Sequence, residues 1–73
     1  MIKIYTLPNC VQCDTTKRYL DNKGIPYESV DMSINTDAYN EAVSLGYKSA
    51  PVVFSEDTHW SGFRIDLLNK LSA

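Results

Sequence analysis

Hydrophobic and polar positions change their period several times along the chain, and each change marks an element. Residues 1–6 (MIKIYT) put Ile2 and Ile4 on one side and Lys3 and Tyr5 on the other, the alternation of a strand. Leu7, Pro8 and Asn9 end it, because proline cannot donate to a ladder and asparagine is a favoured helix N-cap. A helix is then predicted over about 10–23. Its apolar stripe is thin: Cys13, Thr16 or Lys17, and Leu20, with Val11 and Tyr19 flanking. Gly24 suits the position just past a helix, and Pro26 forbids continuation. Residues 27–32 (YESVDM) read as a second strand. Ser33, Asn35 and Thr36 offer cap oxygens, and a second helix ends at Gly46 with Ala38, Ala42 and Leu45 on one face. The apolar run 51–55 (PVVFS) is short enough for a buried strand. Glu56 and Asp57 turn the chain, 58–60 return as a short strand, and a last helix from Gly62 carries Phe63, Leu67, Leu68 and Leu71.

The order is β-α-β-α-β-β-α. A strand–helix–strand crossover makes the first two strands parallel, and the short turn at 56–57 makes the last two antiparallel. One mixed four-stranded sheet flanked by three helices satisfies both demands. This is an α/β chain with a thioredoxin-like fold, organised as a single domain over 1–73.

Composition narrows the function. A chain of 73 residues buries only about 60% of its unfolded surface, so its core is marginal. Two cysteines exclude a multiply bridged secreted scaffold. Seven Lys and Arg against nine acids, a net charge of −2, show no basic face for nucleic acid. No apolar run approaches the roughly 20 residues of a membrane span. The N-terminus also lacks the apolar stretch of a signal peptide, so a cytoplasmic protein is expected.

What stands out is that Cys10 and Cys13 lie three apart where the first strand meets the first helix. Sulfurs at that spacing in a first helical turn can close a disulfide. Free N–H groups and the positive end of the dipole stabilise a thiolate there. Cys10, at the helix mouth, is expected to attack a target disulfide. Cys13, one turn in, would resolve the mixed disulfide. A structural zinc site needs about four ligands, whereas this chain adds only His59 to its two cysteines. A purely structural bridge around so short a loop would stabilise little. Val11 and Gln12 bring no charge to the thiolate. Asp14 opposes it and Lys17 and Arg18 partly offset that, so the Cys10 thiol is expected below its ordinary pKa but not extremely so. Pro51 opens the third strand. An X-Pro bond is cis in only about 5–6% of folded cases. A cis bond facing the cysteines would nevertheless leave the Ala50 backbone free to pair with an extended substrate.

Cys10-Val11-Gln12-Cys13 followed by Thr16 and Lys17, then Ser49-Ala50-Pro51-Val52-Val53, and Trp60-Ser61-Gly62-Phe63-Arg64 ending at Asp66, resemble the NrdH-redoxins across essentially the whole chain. These are small glutaredoxin-like proteins with thioredoxin-like activity. The Cys-x-x-Cys pair alone is common to all thioredoxin-like proteins, whereas the Val-Gln pair with the Trp-Ser-Gly-Phe-Arg segment is far more specific. The resemblance implies a thiol-disulfide oxidoreductase with no bound cofactor. Its electrons would come from NADPH through thioredoxin reductase rather than from glutathione. Its client would be the large subunit of class Ib ribonucleotide reductase, and it would act as a monomer. Carried over by position, Cys10 is the nucleophile, Cys13 the resolver and Pro51 a cis proline. The segment from Trp60 to Phe63 faces partners, where ordinary glutaredoxins hold the glutathione carboxylate.

Each of these residues also has a plainer role. Arg64 and Asp66 could form a solvent-facing ion pair or organise the patch; Trp60 could be core or a docking anchor; His59 reads as a surface residue rather than a base. Leu7, where members often have Lys, removes a positive charge beside the cysteines. Ile65, where they often have Pro, loosens the start of the last helix. Two other readings compete: a glutathione-dependent glutaredoxin, and a metal or iron–sulfur binding module whose ligands come from two chains.

Overall fold

The computed structural model describes residues 2–71. In chain order the elements are β1 (Ile2–Thr6), α1 (Val11–Asn22), β2 (Tyr27–Asp31), α2 (Thr36–Ser44), β3 (Val52–Phe54), β4 (His59–Ser61) and α3 (Ile65–Leu68). Met1, the first residue of the expected strand, lies outside the described residues. The strands form one mixed sheet in the order β2-β1-β3-β4. β1 runs parallel to β2 and antiparallel to β3, and β4 returns antiparallel to β3. This is the thioredoxin-like fold.

Register decides what each face buries. Ile4, Val53 and Trp60 stand opposite one another across three strands. They form one core with Leu20 of α1, Ile25 and Leu68 of α3. One residue on, Tyr5 pairs with Val52 and packs with Met32, Ala38 and Ala42 under α2. Both faces of β1 are therefore covered. Tyr5, on the side opposite Ile2 and Ile4, is only 7% exposed and donates its hydroxyl to Glu41 Oε1 at 2.6 Å.

The helix boundaries differ from the sequence expectation in three places. Cys10, not Asn9, caps α1, because the sulfur of Cys10 accepts the Cys13 N–H while Asn9 turns into the left-handed region with φ 59°. Leu45 lies past the end of α2, at its C-cap, and is exposed instead of sharing the buried face of Ala38 and Ala42. The last helix starts at Ile65, not Gly62, and is a single turn. Gly62 has φ 90° and donates its N–H to the Pro51 carbonyl at 2.8 Å, so residues 61–62 continue the pairing of β3 with β4 and cannot be helical. Phe63, Leu67 and Leu71 still pack on the Leu68 core.

Candidate active site

β1 ends at Thr6 and α1 begins at Val11, so four residues must redirect the chain. Cys10 closes that turn with extended backbone (φ −107°, ψ 106°) and is half-buried. Cys13, one turn into the helix, is 2% exposed. The two are joined in a disulfide with Cα atoms 5.2 Å apart. The Cys13 N–H donates to Cys10 Sγ at 3.1 Å, and the Asp14 N–H donates to the Cys10 carbonyl at 3.2 Å. The two sulfurs are unequally exposed: Cys10 is half-buried at the helix mouth, and Cys13 is almost fully buried. The Cys10 sulfur thus occupies the place where a helix start offers its unpaired N–H groups.

The Ala50–Pro51 bond is cis. Pro51 is buried and Ala50 half-buried. The Ser61 hydroxyl donates to the Ser49 carbonyl at 3.1 Å and lies 3.1 Å from the Ser49 hydroxyl. With the Gly62–Pro51 bond, these contacts bind residues 49–51 to residues 61–62.

Gln12 has a structural contact that its residue type alone does not announce. Read by charge it is only an uncharged spacer, yet its Oε1 accepts the Phe63 N–H at 3.0 Å and so ties the cysteine helix to the segment after β4. A Cβ at position 62 would stand 3.3 Å from that oxygen, a second reason for glycine there. The only signal in the chain was the joint occurrence of the Val-Gln pair and the Trp-Ser-Gly-Phe-Arg segment.

The rest of the segment divides. Trp60 is 5% exposed in the core, so its ring offers little to a partner, and its Nε1 is buried without a hydrogen-bond partner among the described residues. Phe63 is half-buried, edge-on to Tyr19 with centroids 6.3 Å apart. Arg64 and Asp66 form a two-bond ion pair at 2.9 and 3.1 Å, open to solvent. The Arg64 guanidinium holds the Asp66 carboxyl below its usual range. His59 is exposed, its Nδ1 is 2.6 Å from the Tyr47 hydroxyl, and it sits beside Phe54. A cavity of about 270 Å³ lies under α2, bordered by Leu7, Tyr39, Val43, Tyr47, Ser49 and Val52, and it reaches the cysteine turn through Leu7. No group of three or more His, Cys, Asp or Glu side chains able to hold a metal comes together among the described residues. No described helix is long and apolar enough to cross a membrane.

Comparison with known proteins agrees with this geometry. Residues 2–60 match the Glutaredoxin family. The chain is 43% identical over 70 residues to the glutaredoxin-like protein NrdH of Salmonella typhimurium, covering 96% of this chain and 86% of that one. It is 29% identical over 72 residues to the NrdH protein of Lactococcus lactis, covering 99% of this chain and all of the relative. The solved structure of NrdH-redoxin from Escherichia coli, described by its thioredoxin-like activity profile, superposes with a TM-score of 0.95 at 39% identity, over 99% of this chain and 95% of that one. A buckwheat glutaredoxin–glutathione complex shares the fold, with a TM-score of 0.73 at 22% identity, over 94% of this chain and 66% of that one.

Proposed function

Because the chain belongs to the glutaredoxin family, as a thiol-disulfide oxidoreductase of the NrdH kind, we propose that it takes electrons from thioredoxin reductase and passes them to a protein disulfide. The client is the large subunit of class Ib ribonucleotide reductase, in the cytoplasm, and the carrier is a monomer. The observation that carries this reading is the pairing of a reachable Cys10, with an N–H aimed at its sulfur, and a resolving Cys13 that is almost fully buried.

The reaction follows from that pairing. In the reduced protein the Cys10 thiolate attacks one sulfur of the client disulfide. The client S–S bond breaks and its other sulfur leaves as a thiolate. The Cys13 thiol then gives up its proton and attacks Cys10 Sγ, which expels the second client sulfur. Two electrons have moved to the client, and the Cys10–Cys13 disulfide has formed. Reductase using NADPH reverses the last bond, so no cofactor need reside in the chain. The client segment adds as an extended strand along the backbone of Ala50, next to Pro51, while Ser61, Gly62 and Phe63 provide the adjoining surface. Arg64 and Asp66 hold each other and shape its rim, and Trp60 supports it from the core.

The test is direct. Oxidised protein is offered NADPH with thioredoxin reductase, or glutathione with glutathione reductase. Rapid NADPH oxidation is expected only in the first mixture. Efficient reduction by glutathione alone would make the chain a glutathione-dependent glutaredoxin instead.

A further inference from the structure

We propose that Asn9 is a positioning residue for Cys10, holding its sulfur over the first-turn amides through a left-handed backbone. The inference rests on Cys10 being the attacking cysteine. Asn9 is the one non-glycine with positive φ among the described residues, at 59°. Such a conformation is unfavourable for most L-residues, and least so for asparagine after glycine. Nothing about its side chain accounts for it. The amide is exposed and has no hydrogen-bond partner among the described residues. The cap position that an asparagine commonly fills belongs to Cys10.

The turn itself supplies the reason. Leu7 to Cys10 carries proline at its second position and a left-handed residue at its third, the pattern of a type II turn, which demands φ > 0 at that third position. With the Asn9–Cys10 peptide so oriented, Cys10 is extended, and its Sγ, bridged to Cys13, lies 3.1 Å from the Cys13 N–H. A β-branched residue at 9 would drive φ negative and rotate that peptide, so the sulfur would lose its donor. Asn9 thus acts through Cys10 without touching the reacting atoms.

The test titrates the Cys10 thiolate by absorbance near 240 nm in full-length Cys13→Ser protein, with and without changes at position 9. Asn9→Val is expected to raise the midpoint by about one pH unit, toward the ordinary thiol value of about 8.5. It should slow attack on a small disulfide at pH 7 about threefold, since the lost thiolate is partly offset by greater nucleophilicity. Asn9→Gly should leave both unchanged. Leu68→Ala, which weakens the core far from the turn, should lower stability without moving the titration. If Asn9→Val does not fold, Asn9→Ala takes its place, with the same direction of shift. A midpoint that stays at the parent value in Asn9→Val or Asn9→Ala overturns the inference, as does an equal shift in Asn9→Gly. An ordinary midpoint already present in the parent would instead overturn the reading of Cys10 as an activated thiol, and this inference with it.

Discussion

At the N-cap of α1 stands a sulfur where helices usually place an oxygen. In the proposed reaction Cys10 links folding to chemistry, since the N–H that completes the helix start would also face its thiolate once the bridge is reduced. Replacing sulfur by oxygen should separate the two. Cys10→Ser is expected to abolish disulfide exchange while matching or exceeding the thermal stability of the reduced parent, because serine is a favoured cap. Cys10→Ala should lose about 1 kcal/mol as well as activity, and melting curves of reduced proteins would show the difference. Cys13→Ser should stop the reaction at the mixed disulfide and accumulate a covalent adduct with the client, visible on a non-reducing gel. Recovery of no adduct would contradict the division of roles. Gln12→Ala removes the acceptor of the Phe63 N–H, so a loss of about 1 kcal/mol is expected.

Elements were legible in the sequence where periodicity was strong and less so where a single side chain decides. The strand of alternating Ile2–Thr6, the Cys13–Thr16–Leu20 stripe and the Ala38–Ala42 pair all appear as expected. The start of α3 does not, because the apolar spacing from Phe63 to Leu71 looks helical while the backbone at Gly62 pairs with Pro51 across the sheet. Asn9 departs from its expected cap role for a related reason: cap and left-handed turn favour the same residue type, and only the neighbouring sulfur tells them apart. At the site, the spacing of Cys10 and Cys13 already allowed their bridge and the family resemblance implied the cis bond at Pro51, but the Gln12–Phe63 bond joins positions 51 apart in sequence and no local rule could supply it. The Tyr5–Glu41 bond fastens β1 to α2 in the same long-range way. It is the main reason the Tyr5 hydroxyl is pushed up to about 12, with burial and the negative charges of Glu41 and Glu28 adding to it. A raised acid favours the folded state below the unfolded tyrosine value of about 10 and loses that advantage as pH climbs through the folded one. Stability should therefore fall between about pH 10 and about pH 12, and Tyr5→Phe should flatten that part of the profile. Chemical denaturation across this range would measure it.

For the whole molecule, the question raised by so short a chain is whether its disulfide holds it together. The bridge closes a loop only three residues apart, for which chain entropy suggests about 2 kcal/mol, less than the roughly 3 kcal/mol of a fifteen-residue loop. Ile4, Leu20, Val53 and Leu68, all fully buried on one face of the sheet, do more. Leu68→Ala alone should cost about 2–5 kcal/mol, because α3 is a single turn and this is its buried anchor. The reduced protein should stay folded with nearly unchanged far-UV circular dichroism, as a carrier that alternates between dithiol and disulfide must. In the proposed function, thioredoxin reductase drives that alternation and a protein disulfide receives the electrons. NADPH oxidation is followed as thioredoxin reductase, this protein and a class Ib ribonucleotide reductase turning over its ribonucleotide substrate, which re-forms the client disulfide at each cycle, are combined. Sustained NADPH oxidation is expected that requires all three and stops with Cys10→Ser. Oxidation that proceeds equally without this protein, or reduction of it by glutathione but not by the reductase, would contradict that function.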